Sequence, residues 1–166
     1  MRTALNFPYF VNLVHDLLDS VQVRSMSGLF HHGKVTCYDH SLFVSYLSFR
    51  AARFLGWDYR AAARGGLLHD LYLYDSHDKS AHPGLQCFDH PVAALRNADR
   101  LTTLSSKERD IILSHMWPLS RRRPHSREAA LVDLVDTLCA TLELCRIYRP
   151  IRLRAHLPAS LTPAAA

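Results

Sequence analysis

The sequence predicts an all-α protein, and three observations carry that prediction. Apolar residues recur at three- and four-residue spacing nearly throughout the chain. Helix-start and helix-stop residues stand at the ends of those runs. Strand signals, meaning alternating apolar runs bounded by turn residues, are weak.

Each element follows from local signals. Leu5, Val14, Leu17, Leu18 and Val21 form a helical stripe, so a first helix is expected over 5–21. Residues 22–38 contain Gly28, Gly33 and polar groups and read as a turn region. Tyr38 or Asp39 opens a long helix that Gly56 stops. Asp58 is placed to cap the next helix, which carries the stretch GGLLHDLYLYD over 65–75. Residues 75–88, rich in His, Asp, Ser and Gly with Pro83, read as a loop. Pro91 suits the first position of a fourth helix that ends near Asp99. Ser105 and Glu108 spell a capping box for a fifth, which Pro118 ends. A basic loop over 119–125 leads to Ser126, the expected start of a last long helix reaching about Tyr148. The tail 149–166, with Pro150, Pro158, Pro163 and three terminal alanines, is expected to be frayed or disordered. One domain over 1–148 fits the length.

Composition narrows the function classes. Of the 166 residues, 48% are apolar, the proportion of an ordinary globular chain. No stretch approaches the roughly 20 apolar residues of a membrane span. Phe7 to Val21 is interrupted by Asn12, His15, Asp16 and Asp19, so it does not read as a signal peptide, and a cytoplasmic location is expected. A net charge of +5 suits a small anion but is too diffuse to argue for nucleic acid. The four cysteines include no CxxC pair and read as reduced packing groups. The oddity is the histidine count, 11.

Helical geometry advances about 100° per residue, which shows where those histidines point. His40 falls in the middle of the stripe set by Val44, Leu47, Ala51 and Leu55. His69 shares a face with Ala62, Gly65, Gly66 and Leu73, whose small members let another backbone approach, and Asp70 lies at the edge of that face. His115 lines up with Ile111 and Ile112. On the last helix Leu131, Leu134, Val135, Leu138 and Leu142 define the expected apolar face; Asp136 lies at its flank and Asp133 nearly opposite, as a solvated charge would. His90 sits at the expected start of the fourth helix. A lone inward histidine is usually a hydrogen-bonded core residue. Several imidazoles and carboxylates converging on one interior are hard to satisfy without a cation, and such convergence is how helical bundles build metal sites.

The ordered set His40, His69 with Asp70, and Asp136 matches the H…HD…D signature of the HD-domain superfamily of metal-dependent phosphohydrolases, which the chain resembles over roughly residues 30–148. His90 and His115 look like the two additional histidines of its dinuclear members. The stretches TCYDHS, AAARGGLLHDLYLYD, DHP, ILSHMWPL and DTLCATLE further resemble a bacterial subgroup of small, stand-alone HD proteins. That subgroup often has Lys after the last Asp, where this chain has Thr137.

The resemblance implies a bundle of about six to seven helices around a metal centre. One ion would be held by His40, His69, Asp70 and Asp136, and Asp70 would bridge to a second held by His90 and His115. His69 and Asp70 would be the catalytic pair. Ligation this rich in nitrogen suits divalent Fe, Mn, Co, Ni or Zn better than Mg. The expected reaction is hydrolysis of a nucleotide or other small phosphoester by a metal-activated water. Weaker substrate-contact candidates are His32, in a turn before the first ligand, and Asp75, His77 and Lys79 in the loop after HD. Two alternatives share the same ligands: an HD-fold di-iron oxygenase, and a non-catalytic module that binds metal and nucleotide.

Overall fold

A computed structural model of the chain describes residues 6–32, 35–75, 84–145 and 153–163. Among these the fold is all-α, as expected. It comprises α1 (Asn6–Leu18), α2 (Val21–Ser25), α3 (Cys37–Phe54), α4 (Tyr59–Leu68), α5 (Gln86–Leu101), α6 (Ser106–Ser114) and α7 (Arg127–Leu144). A small antiparallel hairpin, β1 (Phe30–His32) with β2 (Val35–Thr36), occupies the turn region before α3. No described helix is long and apolar enough to cross a membrane.

The helix starts are chemically marked. Thr36 caps α3, its hydroxyl accepting from the Asp39 N–H at 3.1 Å. Asp58 caps α4 through the Ala61 N–H at 3.0 Å. Ser105 and Glu108 form the full capping box of α6, and Ser126 caps α7. Each cap satisfies a backbone donor that the helix itself leaves unpaired. Between α3 and α4, Gly56 takes a φ of 69°, a left-handed turn that glycine adopts without steric cost.

Helix α4 is the central element: it packs on α1, α3, α6 and α7, and its residues from Ala61 to Leu68 are all buried. Its two glycines are what allow this. A β-carbon at Gly66 would stand 3.1 Å from the Ser45 Cα of α3, a backbone atom. One at Gly65 would stand 2.7 Å from Ile111 Cδ1 of α6. The buried Arg64 then ties three helices: its guanidinium donates to Glu108 of α6 at 3.1 Å and to Asp16 of α1 at 2.7 Å.

Four sequence expectations need correcting. Helix α4 ends at Leu68, so His69 and Asp70 stand in the turn beyond it rather than within a longer helix, and Leu73 has a positive φ of 57° instead of sharing the His69 face. Helix α5 begins one turn earlier than expected, at Gln86. Pro91 therefore lies inside it and forgoes only the bond to the Cys87 carbonyl, and His90 is a helical residue, not a start. The described part of the tail, 153–163, is packed: Leu153, Leu157 and Leu161 are buried in the core, and the Arg24 guanidinium donates to the Ser160 carbonyl at 2.6 Å.

The fourth correction concerns α7, which is rotated relative to its expected face. Leu134 is 65% and Leu138 53% exposed, while Glu128, Asp133, Asp136 and Glu143 are buried together with Val132 and Cys139. Asp133 is thus an interior carboxyl. Burial, with the charge of Asp136 behind it, raises its pKa to about 7.

Candidate metal centre

Five elements bring one residue or more to a single interior point. His40 comes from the first turn of α3, His69 and Asp70 from the turn closing α4, His90 from α5, His115 from the C-terminal cap of α6, and Asp136 from the middle of α7. All six are at least nine-tenths buried. His40, His69 and Asp136 form one group able to hold a cation, and His69, Asp70 and His115 a second, the offered atoms of each group lying within 4.8 Å of one another. His90 joins the second, its Nε2 3.4 Å from Asp70 Oδ1.

The outer nitrogens decide what the inner ones can do. His69 Nδ1 donates to the Gly66 carbonyl at 2.8 Å, His90 Nδ1 to the Gln86 carbonyl at 2.6 Å and His115 Nδ1 to the Ile112 carbonyl at 2.8 Å. A carbonyl only accepts, so each Nδ1 carries a proton and each ring turns its Nε2 inward; against the opposing effect of burial, the charges of Asp70 and Asp136 raise the pKa of His69. The consequence is a centre of inward ring nitrogens and carboxylate oxygens. His90 and His115 set their Nε2 atoms 2.7 Å apart, lone pair against lone pair. His69 Nε2 has no hydrogen-bond partner; its nearest charged neighbours are carboxylate oxygens, Asp70 Oδ2 at 3.5 Å and Asp136 Oδ1 at 3.6 Å. Buried acceptors facing one another without a donor are costly, and a cation removes the cost.

His40 is oriented differently. Its Nδ1 faces both oxygens of Glu143, at 3.0 and 3.1 Å, and its Nε2 lies 2.8 Å from Asp136 Oδ1. Burial alone would lower its pKa, but the two carboxylates outweigh that and raise it to about 10. Without a cation His40 is therefore an imidazolium. Against the opposing effect of its burial, the charge of His69 and the bonds from His40 and His69 hold Asp136 well below the usual carboxylate range. His90 moves the other way, to about 4, because burial and the neighbouring His115 both oppose a charge there. The centre is already prepared for a positive charge at the His40 end and for neutral nitrogen ligands at the His90 end.

Sequence reasoning missed Glu143. It lies seven residues after Asp136, hence on the same face of α7. A carboxylate behind a histidine ligand is the usual device for fixing its tautomer. Of the weaker candidates, only Asp75 can be placed by its side chain. His32 ends β1, and Asp75 is exposed at the end of the HD turn. His77 and Lys79 lie outside the described residues.

The centre floors a cavity of about 650 Å³, with Asp70, His90, His115 and Asp136 at its base. Comparison with known proteins finds no family model, no curated protein and no solved structure that matches this chain. Function must therefore be argued from this site.

Proposed function

We propose that this protein is a metal-dependent phosphohydrolase of the HD-domain type, acting on a small phosphoester. The observation that carries the reading is the ligand set: four inward-facing imidazole Nε2 atoms and two carboxylates converging on one buried centre. His40, His69, Asp70 and Asp136 would hold one divalent ion, and His90 and His115 a second, with Asp70 between them, since a carboxylate has one oxygen for each. When bound, such ions supply a nucleophilic water at neutral pH and neutralise charge on phosphoryl oxygens.

The chain's own residues do the rest. Glu143 holds the proton on His40 Nδ1, and the carbonyls of Gly66, Gln86 and Ile112 hold those of His69, His90 and His115, so that every Nε2 remains a ligand atom. The buried base of the cavity limits bulk water. In hydrolysis a water oxygen bonds to phosphorus, the ester P–O bond breaks, and the proton released from water ends on the departing alcohol.

The test is Asp70→Ala in protein carrying its metal. Turnover of a phosphoester panel should fall by at least about 100-fold, the scale on which loss of a group acting in the transition state is read, with the circular-dichroism spectrum unchanged. Activity equal to the parent would refute the assignment. Oxygen uptake without phosphate release would move it to the di-iron oxygenase alternative.

A further inference from the structure

The wall above the centre differs in character from its base. Met116, Trp117, Pro118 and Leu119 form one side, from the segment joining α6 to α7, and Ala140 and Leu144 of α7 face them. The polar groups among the remaining described lining residues are neutral: Tyr72, Gln86, Thr137 and Thr141, with the Cys87 thiol. No Lys or Arg is among the described lining residues, and the arginines at 121–123 are not part of the wall. The apolar surface continues to the mouth, where Leu119 is 69%, Leu144 66% and Trp117 45% exposed.

From this we infer the substrate class: a phosphate monoester with a single anionic head and an apolar body, the head on the His/Asp centre and the body along the wall of Met116, Trp117, Leu119, Ala140 and Leu144. The inference rests on the phosphohydrolase reading and narrows it. The centre can compensate one phosphoryl group. A second or third phosphate would lie against Met116 and Leu119, desolvated, with no Lys or Arg among the described residues of the wall. Sites that bind polyphosphates supply arginine, lysine or further metal along the chain of phosphates. A ribose would likewise give up hydroxyl hydration against hydrocarbon with few partners. An aromatic or branched aliphatic body does the reverse, covering large apolar side chains that otherwise face water. The volume, about 650 Å³, accommodates a body well beyond the phosphate itself.

The inference is tested by calorimetry on the full chain carrying its metal, with three probes: 1-naphthylmethylphosphonate, methylphosphonate and adenosine 5′-monophosphate. The naphthyl probe should bind at least about tenfold tighter than either of the others, a 1.4 kcal/mol preference. Ala140→Trp, which fills the cavity, and Leu144→Arg, at an exposed position that leaves the core untouched, should each remove that preference while metal content per chain stays at the parental value. Adenosine monophosphate binding as tightly as the naphthyl probe would overturn the inference, as would a preference that survives both substitutions. Neutral 1-naphthol on the same protein separates the two levels. If it binds, is displaced by Ala140→Trp, and no phosphonate binds, the phosphoester reading fails and the apolar-body inference stands. If methylphosphonate binds and neither naphthyl probe gains on it, the apolar-body inference fails and the phosphoester reading stands.

Discussion

Glu143 gives the sharpest test of how the centre is built, because it would touch no metal and no substrate. Its side chain is fully buried and accepts from His40 Nδ1 through both oxygens, at 3.0 and 3.1 Å. Glu143→Ala leaves a buried N–H without its partner. That costs about 1–3 kcal/mol in the metal-free protein, or roughly 3–10 °C in Tm for a chain of this size. In metal binding the loss is separate: His40 is no longer held in the tautomer that offers Nε2, and loss of such an orienting partner costs about 10–100-fold in affinity. Glu143→Gln keeps an acceptor but not the charge, so it should recover the Tm largely and the affinity in part. The assay is competition for the metal against a chromophoric chelator, alongside thermal unfolding of chelator-treated protein. Parental metal affinity in Glu143→Ala would show that His40 is not a ligand, or that its orientation is set elsewhere. Either result would break the carboxylate–histidine–metal reasoning.

Three further perturbations read other parts of the fold. Gly66→Ala should destabilise by about 1–3 kcal/mol in urea unfolding, since its new methyl meets the Ser45 backbone at 3.1 Å; Gly65→Ala should destabilise likewise, its methyl meeting Ile111 Cδ1, Cγ2 and Cβ at 2.7, 2.9 and 3.0 Å, with only partial relief from Ile111→Val, which removes Cδ1 alone. Glu128 has its pKa lowered to about 2, burial being outweighed by the Asp58 N–H and the Lys107 ammonium. Because the folded value lies below the unfolded one, its stabilisation is complete above about pH 4.5 and disappears as pH falls toward 2. The stability–pH curve of Glu128→Gln should therefore be flatter across that window, and an unchanged slope would refute the pairing. Leu161→Ala should cost about 2–5 kcal/mol, measured by thermal unfolding, because Leu161 is 2% exposed; a loss of a few tenths would return the tail to the frayed state that its prolines suggest.

What the sequence reveals and what it hides divide along a physical line. Caps are local chemistry, so Asp58, Ser126 and the Ser105–Glu108 box could be read directly from residue order. Gly65 and Gly66 announced a close approach because only lost side-chain volume explains adjacent glycines in an apolar helical run. Helical phase turned His40, His69 and His115 inward, the family resemblance supplied the full set of six, and the structure buries all six close together. The tail was hidden because its three prolines mask a spacing of four, Leu153, Leu157 and Leu161, that repeats once per helical turn.

Helix α7 was misread for a reason that belongs to the site itself. Hydrophobic phase assumes that the interior is apolar. Here the interior includes a polar centre, so the inward face of α7 carries Asp133, Asp136 and Glu143, and its leucines turn outward. Two of those inward carboxyls serve His40, on its two opposite nitrogens. Local amphipathicity and tertiary placement disagree most where function imposes charge on the core. In this chain that conflict falls on one helix, and it points to the same residues as the histidine geometry. Leu144 at the end of α7 joins the wall of the cavity with Ala140, whereas the outward Leu134 and Leu138 do not line it. The placement of α7 thus sets Asp136 on the centre and Ala140 and Leu144 along the cavity above it.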